Sequence, residues 1–325
     1  MFEDKIKDLL RSAFHYYKDI FDFNGNKRLK KNIELYNLHL GNRAFLLATG
    51  ESIQHINMEQ LKNEYTFGIN LFFIHEDINK IDLSYYVYLD NDRCLYPGMP
   101  QWPKDHLGPL GYEPIRQMYE EIDKRVDNNT KLILNSECYK YTNNLFKDKT
   151  KYFTKVKKEL KVVNGVSAKA IADMTTRSVS GGGSIYFTLL IMIYMGFKEI
   201  YLIGVGYSYS PEYVLHFYDN IIFPKSIGKN EAIRSVKNAI EIRREKGGSA
   251  EYYGLLEKGN YFRGICIRKK NENNPQHYEY HRKIKKYSES QGVRILNIVP
   301  EGFESPVYEK ISWDKIANEV LQKKN

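Results

Sequence analysis

The 325-residue sequence predicts an α/β fold built on a mostly parallel sheet, and three observations carry that prediction. Short β-branched and aromatic runs recur along the chain: Ala44 to Ala48, Tyr65 to Ile69, Tyr85 to Leu89, Lys131 to Leu134, Ile200 to Ile203 and Val293 to Ile298. Near-continuous apolar runs of this length suit strands covered on both faces. Second, the stretch Ser180 to Tyr209 joins a Ser-Gly-Gly-Gly-Ser turn to an apolar segment, Ile185 to Met195, that stops at Gly196. It continues through a short strand to Gly204-Val205-Gly206, which reads as loop, buried helix, strand and tight turn. Third, polar residues stand where successive strands end: Ser52 after the first, Asn70 after the second and Asp90 after the third. In an open α/β sheet those positions share one rim, where such folds hold ligands.

Composition sets the limits. Hydrophobic residues make up 42% of the chain, enough for a sizeable core, and the formal net charge of +9 favours anionic partners such as nucleotides, acidic sugars or a lipid surface. Tyrosine is abundant at 27, against 16 phenylalanines and 2 tryptophans, and offers flat faces with hydroxyls for bases and sugars. Cys94, Cys138 and Cys266 have no metal-ligand spacing and no disulfide pattern, which fits a reduced, cytoplasmic protein. The acidic residues of MFEDKIKDLLRSAF argue against a signal peptide, and the apolar segments are too short to span a bilayer. Any membrane contact is therefore expected to be peripheral, at the inner face of the membrane.

Residues 1 to about 40 read as a charged helical region, with Ile6, Leu9, Leu10 and Phe14 on one face and a basic cluster at Lys27 to Lys31. The cluster reads as a solvated helix face, with a membrane-surface contact as the minority alternative. Ser52 is a natural N-cap for a helix through about Leu61. The proline-rich residues 91 to 130 make an irregular excursion ending in a helix near Ile115 to Val126, and Lys149 to Val163 has no clear assignment. Pro211 to Lys229 is aromatic and non-periodic and contains His216, followed by a charged helix over about Glu231 to Lys246 and a Gly247-Gly248 hinge. Such a segment suits a mobile lid. A histidine there can take a proton at neutral pH without special tuning. His277 and His281 stand four apart on the next helix, yet no third ligand is suitably spaced, so packing is the preferred reading and no metal is assigned. Asn297, Ser305 and a terminal helix over about Ser312 to Lys323 close the chain.

Three blocks carry a family resemblance: Phe45 to Asn70 (FLLATGESIQHINMEQLKNEYTFGIN), Ser180 to Tyr209, and Tyr280 to Lys310. Together they resemble the bacterial family that joins MptE-like 6-hydroxymethylpterin diphosphokinases to capsule and surface-polysaccharide proteins. The first two blocks are also similar to the bacterial sialyltransferases that cap lipooligosaccharides. Gly50 and Ser52 match the phosphate turn of those sialyltransferases, whereas Ala48 and Glu51 depart from it. Asn70 matches the asparagine that contacts the nucleotide, and Ser180, Gly181, Gly182, Gly183 and Ser184 occupy the donor-holding turn. Gly206 stands where both groups usually have aspartate. Tyr207 and Tyr209 take the place of tyrosines that hold the departing phosphate, and His216 lies where MptE-like proteins often carry histidine.

The resemblance implies a Rossmann-like mostly parallel sheet with helices on both faces and a smaller inserted lid. The expected division is an N-terminal helical region at 1–40, a nucleotide-binding domain at 41–210, a lid at 211–275 and a completing helix-strand-helix at 276–325. The implied activity is a nucleotide-sugar-dependent glycosyltransferase of surface-glycan synthesis, using a CMP-linked donor and a glycan acceptor. His216, Tyr207 and Tyr209 would be catalytic; Gly50, Ser52, Asn70, Asp90 and Ser180 to Ser184 would hold the donor. No cofactor is required in that reading. The alternatives are a diphosphokinase using ATP and Mg²⁺, and a non-catalytic nucleotide-binding module. Nucleic acid is not an expected partner, and a homo-oligomer is left open.

Overall fold

The computed structural model describes residues 23–89, 113–155, 174–175, 183–205, 253–256, 260–263, 275–301 and 305–321. Eight strands form one sheet: β1 (Arg43–Leu47), β2 (Tyr65–Ile69), β3 (Tyr85–Tyr88), β4 (Lys131–Asn135), β5 (Lys151–Thr154), β6 (Glu199–Ile203), β9 (Arg294–Ile298) and β10 (Glu309–Ile311). Their order is β10-β9-β6-β1-β2-β3-β4-β5, and every neighbouring pair is parallel. The sheet is thus more uniform than the expected mostly parallel one. Two further strands, β7 (Tyr253–Leu256) and β8 (Asn260–Arg263), pair antiparallel as a separate ribbon. They are the only described part of the segment expected to form a lid.

Alternation along the strands explains the two layers. Ala44, Leu46, Phe67, Ile69, Val87, Ile200 and Leu202 face one side, against α4 (Ser184–Tyr194) and Ile284 of α5 (Pro275–Ser290). Phe45, Leu47, Tyr86, Tyr88, Leu132, Tyr201 and Ile203 face the other. There they meet Tyr119 and Ile122 of α2 (Glu113–Arg125), and Phe146 after α3 (Tyr139–Leu145). Ile316 of α6 (Trp313–Ile316) completes that layer. Because α4 is buried all round from Tyr186 to Tyr194, its composition is that of a core helix rather than an amphipathic one.

The structure departs from the expected helices at two places. The segment after β1 is two 3₁₀ turns, Glu51–His55 and Met58–Leu61, not one helix. Asn57 is extended between them, and its side chain accepts from the Glu59 N–H at 3.1 Å, restarting the chain as a new turn. The terminal helix is one α turn capped by Ser312, continued by a π turn at Ala317–Leu321. Of the N-terminal region, the described part is a helix, α1 (Phe23–Lys30), followed by a 3₁₀ turn at Lys31–Leu35; residues 1–22, with Ile6, Leu9, Leu10 and Phe14, lie outside the described residues. The unplaced stretch after Lys149 contains β5.

The basic cluster around α1 is partly packed rather than wholly solvated. Arg28 lies over the Tyr139 ring at 4.3 Å and Lys31 over Tyr152 at 4.9 Å, with Leu29 buried between them. Lys31 Nζ and Asn32 Nδ2 donate to the carbonyls of Lys151 and Phe153 at 3.4 and 2.7 Å. Thr150, the alternate position, bonds inward to Leu132 of β4. Lys31 and Asn32 therefore satisfy outward carbonyls of an edge strand that would otherwise invite pairing with another chain. Beyond Leu35 the chain crosses to the foot of β1. On the way the N–H groups of Asn37, His39 and Gly41 donate to Tyr194, Met195 and Gly196 at 3.1, 2.9 and 3.0 Å, satisfying carbonyls at the carboxyl end of α4.

His39 anchors this crossing. Its ring stacks on Phe197 at 4.8 Å, lies 4.2 Å from the Tyr65 ring, and shares a 2.7 Å hydrogen bond between Nε2 and the Tyr85 hydroxyl. Burial, assisted by the positive charge of Lys131, pushes its pKa down from 6.5 to about 4. The unfolded chain binds this proton at about pH 6.5 and the folded chain does not. Its contribution to stability is therefore complete above pH 6.5 and is lost as pH falls through about 4. Urea unfolding at pH 7.5 and 4.5 is expected to show a smaller loss for His39→Phe than for the wild type. Equal losses would contradict the assignment.

Candidate functional site

The chain leaves β1 for β2 on one side, while β6, on the other side of β1, leads to β9. The carboxyl ends of β1 and β6 thus form the point at which strand order reverses, where the connections diverge and a crevice opens. Two backbone bonds close it from below. Ala48 N–H donates to Ile203, and Gly50 N–H to Gly204, both at 2.8 Å. Gly204 has φ +72°, and a Cβ there would lie 2.7 Å from the Ala48 carbonyl oxygen. Only glycine allows the two turns to approach this closely.

Gly50 and Ser52 stand together after β1, but Ser52 is not the helix cap expected from its sequence position. The cap position is Gly50, and Ser52 lies inside the first 3₁₀ turn. It is 1% exposed, and its Oγ has no hydrogen-bond partner among the described residues. Asn70 follows β2 directly, in the left-handed region at φ 52°, a conformation asparagine tolerates better than most residues. Its carbonyl accepts the Tyr86 hydroxyl, fixing the turn, while its Oδ1 is buried and has no partner among the described residues. A buried acceptor left unmatched costs about 1–3 kcal/mol, so both atoms suit a ligand that brings donors.

The third component is the amino end of α4, whose backbone lies over β2 and β3 and which runs antiparallel to the strands. Gly183 is its N-cap, with φ 88° and no side-chain cap. Nothing lies within 4 Å of where a Gly183 Cβ would be. Ser184 begins the helix, and its carbonyl accepts the Thr188 hydroxyl at 2.8 Å. A helix start reached through an open glycine directs its first N–H groups and the positive end of the helix dipole toward the rim, a setting suited to phosphate or carboxylate.

The sequence pointed past two further rim residues. Asn297, in β9, donates through Nδ2 to the Val205 carbonyl at 3.0 Å and to Ser305 Oγ at 3.2 Å, and Ser305 donates to the Tyr308 carbonyl at 2.7 Å. Asn135, ending β4, donates to the Leu89 carbonyl at 3.3 Å. Each side chain steadies the exit of the neighbouring strand. For Asn135 the signal was present, since LILN repeats the pattern of YTFGIN, an asparagine at the carboxyl end of an apolar run; Asn297 stands inside its run, RILNIV, and carries no such mark. His281 is a packed residue: its Nδ1 shares a 2.9 Å hydrogen bond with the Tyr308 hydroxyl. No group of three metal-ligating side chains occurs among the described residues. Asp90, Ser180, Gly181, Gly182, Tyr207, Tyr209 and His216 lie outside the described residues, as does Gly206.

No protein-family profile matches the chain, and no curated protein matches it. Among solved structures it is similar to a variant of the sialyltransferase CST-II in complex with CMP, with a TM-score of 0.38 and 13% identity, over 82% of this chain and 86% of that one. It is also similar to the sialyltransferase CstII from Campylobacter jejuni in complex with the substrate analogue CMP-3FNeuAc (TM-score 0.30, 14% identity, 71% and 93% coverage). A third structure, CST-II with a trisaccharide acceptor and CMP, gives a TM-score of 0.30 at 13% identity, over 71% of this chain and 96% of that one. At this distance the roles of side chains rest on the geometry of this chain alone.

Proposed function

We propose that the protein is a nucleotide-sugar-dependent glycosyltransferase with a CMP-linked donor, acting in the synthesis of a surface glycan. The observation that carries the proposal is the rim at the strand-order reversal, where the buried acceptors Ser52 Oγ and Asn70 Oδ1 share a sheet edge with the start of α4. Acceptors of this kind match the hydroxyls and exocyclic amine of a nucleoside, and helix-end N–H groups match its phosphate. The sequence resemblance supports the choice of CMP and of glycosyl transfer.

In the proposed reaction His216 takes the proton of an acceptor hydroxyl, whose oxygen attacks the anomeric carbon of the donor sugar. The bond from that carbon to the phosphate oxygen breaks, and the nucleotide leaves with the electron pair. Tyr207, Tyr209 and the N–H groups at the start of α4 hold the charge that develops on the departing phosphate. This scheme requires no metal.

Mass spectrometry after incubation with CMP-, UDP- and GDP-sugars, and separately with ATP plus Mg²⁺, tests the reading. CMP released from a CMP-sugar without metal is the expected result. AMP released only from ATP with Mg²⁺ would replace the reading with diphosphoryl transfer, and no release with intact nucleotide binding would favour a binding module. Two substitutions separate the roles. Ser52→Ala is expected to weaken nucleotide binding about tenfold, the loss of roughly one hydrogen bond, without lowering the stability of the free protein. His216→Ala is expected to abolish transfer with nucleotide affinity changed by no more than a few-fold; persisting turnover would exclude it as the base.

A further inference from the structure

Five large hydrophobic side chains are exposed among the described residues: four on the segment that crosses to the amino end of β1, and Tyr65 at the amino end of β2, whose ring lies against His39 of that segment. Ile33, Tyr36, Leu38 and Leu40 are 61, 57, 46 and 64% exposed on the segment that crosses to β1, and Tyr65, which starts β2, is 36% exposed. Four come from eight consecutive residues. The backbone that carries Tyr36, Leu38 and Leu40 is held to the end of α4 by the three hydrogen bonds from Asn37, His39 and Gly41, so their exposure belongs to a hydrogen-bonded element. A soluble surface seldom gathers its large apolar side chains in this way without a binding role.

The charges around this patch select the occupant. Lys27, Lys30 and Lys31 are exposed on the approach to it, and Lys62 is exposed in the turn before Tyr65. Lys31 keeps its ammonium at the surface while its stem covers Tyr152. Glu34 is the acidic group on the same segment, and its carboxylate accepts the Tyr152 hydroxyl at 3.4 Å. Lysines bordering Ile, Leu and Tyr side chains match an anionic lipid surface, where the apolar groups enter the headgroup boundary and the ammonium groups meet phosphates. A second copy of the chain would set equal clusters of lysine against each other. From this we infer that residues 33–40, with Tyr65 and the flanking lysines, form a docking face for an anionic bilayer. The lipid-bound molecule then presents the ligand rim away from the membrane plane.

Cosedimentation of the full chain with vesicles of phosphatidylcholine, with and without about one-third phosphatidylglycerol, tests the inference. Binding is expected only with the anionic lipid and falls as salt rises. The triple variant Ile33→Ser/Leu38→Ser/Leu40→Ser is expected to bind at least about tenfold more weakly, having lost half-exposed apolar groups that no core contact requires. Lys27→Glu/Lys30→Glu is expected to weaken binding comparably, since each lysine near such a surface contributes about fivefold. Circular dichroism and the unfolding midpoint verify that both variants fold. Wild-type protein that fails to bind, or variants that bind equally well, would overturn the inference. So would a wild-type dimer that the triple variant converts to monomer, which would assign the face to self-association.

Discussion

Replacing Gly204 with alanine is expected to destabilise the protein by about 3 kcal/mol and to disorder the rim with it. Two effects add. At φ +72° any residue with a Cβ is strained, and here that Cβ would also lie 2.7 Å from the Ala48 carbonyl oxygen and 3.0 Å from its carbon. The backbone cannot yield cheaply, because Ala48–Ile203 and Gly50–Gly204 hydrogen bonds zip the two turns together on either side of the contact. Gly183 provides the control, having φ 88° as well but open space where the Cβ would go. Gly183→Ala should therefore cost only the conformational strain of φ 88°, ψ −172°, about 2 kcal/mol. Thermal unfolding would show a midpoint lowered by roughly 4 °C for Gly204→Ala, taking an unfolding entropy of ~0.7 kcal/mol/K for a chain of this size. If both variants shift the midpoint equally, the close approach of the turns is not what the glycine serves.

The second large effect is expected at Arg43, which starts β1 at the opposite edge of the sheet. Its Nε and Nη2 donate to the two oxygens of Glu64 at 2.9 and 2.7 Å, a fork-on-carboxylate pair whose acidic partner has a side chain only 3% exposed. That bonding raises the pKa of the guanidinium. Arg43→Ala removes both charge-assisted bonds from a carboxylate that remains in the interior, at a cost of about 3 kcal/mol. Arg43 itself is 21% exposed, which places the expectation at the lower end of the range for buried pairs. Replacing both partners, as in Arg43→Met/Glu64→Leu, should recover most of the loss, because no charge is then left in the interior. A denaturant-unfolding cycle of the two single variants and the double measures this. A loss under about 1 kcal/mol for Arg43→Ala would place the pair among ordinary surface bridges.

Strand ends are legible because a run such as YTFGIN loses its apolar character at one residue, and β2 does end at Ile69 with Asn70 next. That Ser52 caps a helix was a local inference, and it failed for a non-local reason. Ile53, Ile56, Met58 and Leu61 all enter one core layer, and two short turns broken at Asn57 put them there where a continuous helix was expected. Propensity yields to burial in such cases. The basic cluster before β1 failed similarly, since nothing in KRLKK announces that Arg28 and Lys31 will lie on tyrosines more than a hundred residues away.

What the sequence alone determined is six of the eight strands of the sheet, β1 to β4, β6 and β9, and the buried helix α4, because period-two and all-apolar patterns depend only on which faces must leave water. It also placed Gly50, Ser52 and Asn70 at the ends of strands. The strand order was decided by the tertiary structure, which sets β6 against β1 and so makes one crevice from turns that lie more than 150 residues apart. The same pairing decided that Gly204 must be glycine, that Asn297 must hold the Val205 carbonyl, and that the segment at 36–41 must cap α4. The physical reason is common to all of them. Each is a close contact between backbones brought together by sheet register, and a contact of that kind leaves no periodic mark in either of the segments that make it.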